Sequence, residues 1–261
     1  MRIVVLLKPV PDTTGQERLG PDLRVDRAAV PAVINPNDEY ALEGALRLME
    51  ARGGDADITL LTMGPASAPE TIRKGLAMGA HRGVLVSDPA LEGACAISTA
   101  RVLSAALATL EFDLVLAGVD SSDGRGGVVA AAVAALRGLP YLSYAGSIEL
   151  GDTSVRVHRL SATGYDVLEA PLPAMVVATQ AIGEPRYPSL KGIMGARSKE
   201  IATRSLADLG LSSHEVGGAV ATTRVLEARP PAARAATRVV RDAAPEAARQ
   251  VVEFLAERRI I

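Results

Sequence analysis

Residues 113–129 read DLVLAGVDSSDGRGGVV, and the fold turns on them. Leu114, Val115, Leu116 and Ala117 form a short unbroken apolar run, the text of a strand buried on both faces. The run ends in a loop of glycine, aspartate and serine, and a helical pattern follows over 128–136, closed by Gly138 and Pro140. The same grammar is repeated upstream, with apolar strands at 3–7, 58–62 and 83–87. Between the first two, 38–52 sets Leu42, Leu46 and Met49 on one helical face and stops at Gly53-Gly54. Between the second and third, Ser67-Ala68-Pro69-Glu70 has the form of a capping box, and Gly79 ends the helix. An alanine-rich helix is expected over 91–110. Strands alternating with helices in this way predict an α/β fold built on an open, mainly parallel sheet with helices on both faces.

Beyond Pro140 the pattern changes. Segments 147–150, 155–160 and 165–168 alternate apolar and polar residues and are separated by Gly-Asp and Ala-Thr-Gly turns, which predicts an antiparallel β-hairpin insertion. A buried strand returns at 174–179. From Gly183 the chain turns basic, irregular and proline-rich. Residues 229–261 carry seven arginines against four acids, contain Pro230-Pro231, and finish in an amphipathic piece with Val251, Val252, Phe254 and Leu255. So few apolar side chains cannot build a core, which predicts an extended C-terminal arm resting on another surface.

Composition excludes several classes of function. The 261 residues carry 28 basic and 30 acidic side chains, a formal charge of −2, and aromatics make up 3% with no Trp. Neither the field nor the stacking platforms that nucleic acid requires are present. Charged and polar residues break every apolar run before the roughly 18 residues of a membrane span. The apolar start at 3–7 meets Lys8-Pro9 too soon for a signal peptide, so a cytoplasmic protein is expected. The single cysteine, Cys95, rules out an internal disulfide and reads as a small packing residue. His81, His158 and His214 lack any metal or triad spacing, and neither a G-x-S-x-G elbow nor a G-x-x-x-x-G-K-[ST] loop occurs.

The remaining chemistry gathers at the carboxyl ends of the expected strands, where open parallel sheets bind ligands. There lie Lys8-Pro9-Val10-Pro11-Asp12, Asn35-Pro36-Asn37-Asp38, Met63-Gly64-Pro65 and the loop after Leu114–Ala117. That loop runs Gly118, Val119, Asp120, Ser121, Ser122, Asp123, Gly124, Arg125, Gly126 and Gly127. Two readings stand for it: a phosphate cradle of backbone N–H groups at a helix start, or a plain flexible turn. Asp120 and Asp123 suit ribose hydroxyls or turn capping equally well. Val129 occupies the third glycine position of the dinucleotide fingerprint, so that motif is not matched. A second stretch, 184–199, sets Leu190, Ile193 and Met194 beside Arg186, Lys191, Arg197 and Lys199. It suits a docking surface, or a loop folded back on the core, which composition alone favours.

Taken in order, these pieces resemble the β subunit of electron transfer flavoproteins, the FixA-like subunit. The resemblance rests on Lys8-Pro9-Val10-Pro11-Asp12, Asn35-Pro36 with Ala41 and Glu43, and Gly64-Pro65 followed by Glu70-Thr71-Ile72-Arg73-Lys74. It continues through Ala77-Met78-Gly79-Ala80, residues 113–118, and Glu184-Pro185-Arg186-Tyr187 leading to Lys191-Gly192-Ile193-Met194-x-Ala196-Arg197, and closes on Arg259-Ile260-Ile261.

The resemblance implies an adenine-nucleotide-hydrolase-like fold that works without hydrolysis. It implies a heterodimer with an α subunit that holds most of the FAD, while this chain buries AMP as a structural ligand. The implied AMP site is Leu6, Asn35, Pro36, Asn37, Asp38 and Met63, with the loop residues Gly118 to Gly127 named above and Val128 and Val129. Many relatives place side-chain donors where this chain has Gly127, Val128 and Val129, which leaves phosphate binding to backbone amides. The stretch Ser161 to Asp166 also departs from the family, and Thr13 and Asn37 stand where some relatives carry aromatics on the flavin-facing side. Leu190, Lys191, Ile193, Met194, Arg197 and Lys199 are the implied partner-docking residues.

The domain reading is accordingly a nucleotide-binding α/β domain at 1–182, a partner-recognition loop region at 183–204 and an arm packing on the α subunit at 205–261. The implied function is electron carriage from flavin dehydrogenases, such as acyl-CoA dehydrogenases, to a membrane quinone oxidoreductase. No side chain is expected to act as acid, base or nucleophile. Two alternatives accompany this reading: an electron-bifurcating subunit with a second FAD in the AMP site, and a stand-alone adenine-nucleotide-binding protein.

Overall fold

Side chains alternate along strand β1 (Arg2–Leu6), so Ile3 and Val5 enter one core layer and Val4 and Leu6 the other, all buried. The computed structural model describes every residue except 13, 15–17, 230–236 and 238. Thr13 and Pro230-Pro231, singled out above, therefore lie outside the described residues. After β1, strands β2 (Pro9–Pro11) and β3 (Ala32–Ile34) pair antiparallel as a small separate ribbon. The alternating unit continues through α1 (Pro36–Ala51), β4 (Asp57–Met63), α2 (Pro69–Met78), β5 (Arg82–Val86), α3 (Ala96–Ala108), β6 (Leu114–Gly118) and α4 (Val129–Arg137). There follow β7 (Tyr141–Leu150), β8 (Ser154–Ser161), β9 (Gly164–Pro171), β10 (Ala174–Ala178), α5 (Leu190–Ala196), β11 (Ile201–Arg204) and α6 (Ala244–Glu257).

Nine of the described strands form one sheet in the order β11-β5-β4-β1-β6-β10-β7-β8-β9. Pairing is parallel from β11 to β7 and antiparallel through β8 and β9. Leu42, Leu46, Ile72 and Leu76 bring α1 and α2 onto one face, and Val102, Leu107 and Val133 bring α3 and α4 onto the other. Each such buried side chain stabilises the fold by roughly 1.5–3 kcal/mol. The architecture is the expected open α/β sheet covered on both sides.

Local differences have local causes. The anticipated capping box does not form: Ala68 is the N-cap of α2, in helical backbone and without a side-chain cap bond, and Pro69 supplies the first turn. The long helix expected over 91–110 is broken because Gly93 takes a left-handed φ of 75°, leaving a short 3-10 turn at Pro89–Leu91 and α3 from Ala96. The expected hairpin is a three-stranded meander that extends the main sheet. Segment 183–204 is more regular than its prolines and glycines suggest, since Ser189 caps α5 and Ile201 to Arg204 add β11 beside β5.

Met1–Leu226 is one compact unit and Glu227–Ile261 a second. Residues 205–226 thus belong with the sheet, where Leu206 and Val216 are buried, although the sequence reading begins the arm at 205. In the second unit, α6 buries no residue, and Val251 and Val252 are exposed.

Candidate functional site

From β1 the chain steps outward through β4 to β5, then returns to place β6 on the other side of β1. The carboxyl ends of β1 and β6 therefore flank the switch point where the strand order reverses, the place at which open α/β sheets form their binding crevice. Asp38, in the first turn of α1, spans these two ends: its carboxylate accepts from the N–H of Lys8 at 2.8 Å and from the N–H of Gly118 at 3.2 Å. Burial pushes its carboxyl up to about 7, against the pull of those bonds. Gly118 admits no side chain, since a Cβ there would stand 2.5 Å from the carbonyl carbon of Asn37.

The loop beyond β6 is braced from the start of α1. Asn35 is the N-cap of α1 but makes no side-chain cap bond. Its buried amide donates instead to the Asp120 carbonyl at 2.7 Å, and its oxygen accepts from the N–H of Ser122 at 3.1 Å. Asn37 donates to the Asp120 carboxylate at 2.6 Å. Asp123 has a side chain only 1% exposed, and it accepts from Lys8 Nζ and Arg27 Nε, both at 2.7 Å. Burial alone would raise the Asp123 carboxyl, but the charge and hydrogen bond of Lys8, the charge of Arg27 and a hydrogen bond with Ser121 bring it down to about 2. Lys8 also donates to Ser121 Oγ at 3.0 Å, and burial holds its ammonium below the ordinary lysine range.

Past this anchored half the loop turns outward. Arg125 N–H donates to the Ser121 carbonyl at 2.7 Å, and Arg125 and Gly127 take φ of 47° and 61°. Residues 124–128 are exposed. Among the described residues nothing accepts from the N–H groups of Gly126, Gly127 and Val128, which precede the first turn of α4 with its own unpaired N–H groups. Ser122 Oγ is buried without a partner. A Cβ on Gly126 would meet nothing within 4 Å, so space lies open over these donors. Consecutive unpaired N–H groups ahead of a positive helix end suit a phosphate.

Two sets stand out among the implied nucleotide residues. Asn35, Asn37, Asp38, Asp120, Ser121 and Asp123 bond to one another or to backbone and brace the crevice, while Gly124, Arg125, Gly126, Gly127 and Val128 face outward. Pro36 opens α1, Val119 and Val129 pack half-buried against the α3–α4 layer, and Leu6 and Met63 end their strands beside the crevice. Lys8 carried a sequence signal by following the first strand directly. Arg27 carried none.

Of the residues expected to dock a partner, Leu190, Lys191, Ile193 and Met194 lie on α5, and Arg197 and Lys199 follow it. Leu190 is 75% exposed and Met194 and Ile193 are exposed with it, so the apolar members do not fold back onto the core. Lys191 and Arg197 are exposed as well, whereas the Lys199 ammonium is held by backbone carbonyls at 2.6 and 2.9 Å. The segment enters through Arg186, whose guanidinium bonds to Glu43 at 2.8 and 3.0 Å and pairs with Glu50.

Elsewhere, His81 Nδ1 accepts from the Ile58 N–H at 3.0 Å, and His158 stacks on Tyr165 with ring centroids 4.7 Å apart. Cys95, read as simple packing, is the N-cap of α3; burial opposes ionisation, but the N–H groups of Ser98, Thr222 and Ile97 lower its thiol to about 6. No helix among the described residues is long and apolar enough to cross a membrane.

Comparison with known proteins converges on one family. The family described as electron transfer flavoprotein domain matches residues 22–209. The chain is 40% identical to the electron transfer flavoprotein subunit beta of Mycobacterium tuberculosis strain H37Rv, over 99% of each chain. It is 34% identical to the subunit of the same name from Thermoanaerobacterium thermosaccharolyticum, over the whole of both chains. It is 35% identical, again over both whole chains, to the caffeyl-CoA reductase-Etf complex subunit CarD of Acetobacterium woodii.

Proposed function

Because this chain belongs to the electron transfer flavoprotein family as a β subunit, we propose that with its α subunit it carries electrons from flavin dehydrogenases, such as acyl-CoA dehydrogenases, to a membrane quinone oxidoreductase. The redox chemistry is that of FAD bound mainly by the α subunit, and this chain supplies position and electrostatics. Its own nucleotide is AMP, held at the switch-point crevice as a structural ligand. The N–H groups of Gly126, Gly127 and Val128 and the positive end of α4 receive the phosphate. Asn35, Asp38 and Asp123 keep that loop in place, so the donors are ordered before the nucleotide arrives. Leu190, Ile193 and Met194 offer the dehydrogenase an apolar surface, with Lys191 and Arg197 at its rim.

The observation that carries this reading is a row of unpaired N–H groups at the strand-order reversal, in a chain matched end to end by β subunits. Its test is to mix the purified heterodimer with an acyl-CoA dehydrogenase and a limiting amount of its substrate under anaerobic conditions, then add a quinone oxidoreductase with excess quinone as electron acceptor. Bleaching of the flavin followed by recovery is expected; a flavin that the dehydrogenase leaves oxidised would refute the carrier reading. A second reading draws on CarD, whose name places that relative in a reductase complex. There the chain would serve a bifurcating assembly, with a second FAD in the crevice instead of AMP.

A further inference from the structure

Helices α2 and α5 exchange cations across their carbonyl ends. Lys199 Nζ, three residues past α5, donates to the carbonyls of Leu76 at 2.9 Å and Ala80 at 2.6 Å, where α2 finishes. Arg73, from within α2, donates through one guanidinium nitrogen to the carbonyls of Ala196 at 2.6 Å and Lys199 at 2.9 Å, where α5 finishes. Each segment thus brings a positive charge to the carbonyl end of the other, where it meets the negative end of the helix dipole.

The pairing matters because α5 has only seven residues, too few to persist by its own hydrogen bonds. At its start Ser189 Oγ accepts from the Gly192 N–H at 3.0 Å. At its middle Gly192 lies against the Ala77 carbonyl so closely that a Cβ would collide with it. Only Ala196 is buried, so apolar packing alone holds the helix weakly. On the outer side Leu190 and Met194 are left in water. Burial also lowers the Lys199 ammonium, consistent with a group turned toward the protein rather than toward a partner.

We infer that Arg73 and Lys199 are positioning residues of the docking helix: through their four carbonyl bonds they fix α5 on α2 and present Leu190 and Met194 as a preformed apolar surface for the dehydrogenase. Lys199 therefore does not steer the partner by its charge, as its place in a basic stretch suggests. This inference rests on the docking role proposed for α5.

The test uses the full heterodimer carrying Arg73→Met, Lys199→Met or the milder Arg73→Lys. Amide hydrogen exchange over 187–199 is measured beside flavin reduction by an acyl-CoA dehydrogenase at low and high ionic strength. Both methionine variants are expected to speed exchange in α5 by about tenfold or more. They should raise the half-saturating dehydrogenase concentration more than they lower the maximal rate, equally at both salt concentrations, with Arg73→Lys lying between them and the parent. Unchanged exchange, or a kinetic defect that salt abolishes, would overturn the inference and return Lys199 to an electrostatic role. Leu190→Ala, run in parallel, tests the docking reading separately: if it leaves reduction untouched, that reading fails, while the exchange result still judges the clamp.

Discussion

The carboxamide of Asn35 donates to the carbonyl of Asp120 at 2.7 Å and so ties the start of α1 to the loop beyond β6, across 85 residues of chain. The same side chain accepts from the Ser122 N–H and is buried. Asn35→Ala strips the Ser122 N–H of its partner and leaves the Asp120 carbonyl only its longer bond from Asn37 at 3.3 Å, and leaving a buried polar group unsatisfied costs about 1–3 kcal/mol. Urea unfolding should show a loss of roughly 1–3 kcal/mol on that basis. A loss within error of zero would mean that water replaces Asn35 freely and that the bracket does not hold the loop.

Gly126→Val separates ligand binding from folding. Its Cβ meets open space and Gly126 does not take a left-handed φ, so the β chain itself should keep its melting temperature. The added side chain would occupy the space proposed for the phosphate. Heterodimer carrying this variant should therefore purify with at least tenfold less AMP and melt lower, since a bound ligand stabilises by mass action. Full AMP content in the variant would remove the phosphate from this loop.

Acid should loosen the loop through Asp123. Its carboxyl titrates at about 2 in the folded chain against a reference of 3.8, so the ion pairs with Lys8 and Arg27 contribute stability that is complete above about pH 4 and is lost as pH falls toward 2. Asp123→Asn should lower the melting temperature at pH 6 and narrow its difference from the parent as pH approaches 2. A difference independent of pH over that window would show that the pairs add nothing to stability.

Removing the second unit, 227–261, should leave the first unit folded. The sheet and both core layers lie within Met1–Leu226, and no residue of α6 is buried. The truncated chain should melt within a few degrees of the parent chain but fail to retain the α subunit and FAD on co-purification. Undiminished recovery of the α subunit would refute the assembly role of the arm.

The parallel sheet was legible because its strands are short, mostly apolar runs rich in β-branched residues: 3–7, 58–62, 83–87 and 114–117 each coincide with a strand within a residue or two of the expected bounds. Periodicity cannot report long-range partners. Nothing local distinguishes Asn35 as a brace from Asn35 as a ligand, because both uses need the same carboxamide and only the arrival of the β6 loop decides between them. Arg27 and Arg73 act on groups 96 and 123 residues away, which no spacing rule encodes. The stretch 184–199 misled for a different reason: its glycines mark a close approach of α5 to α2 as well as a break in regular structure. Lys199, grouped by sequence with exposed cations, is turned inward by carbonyls that belong to another helix.

The nucleotide content of the heterodimer tests the central reading most directly. The β chain is co-expressed with its α subunit, the purified complex is denatured, and the released AMP and FAD are separated and quantified against protein. One AMP and one FAD per heterodimer are predicted. Two FAD with no AMP would contradict the carrier reading in favour of a bifurcating one, and FAD alone at one per heterodimer would leave the crevice between β1 and β6 without its proposed ligand.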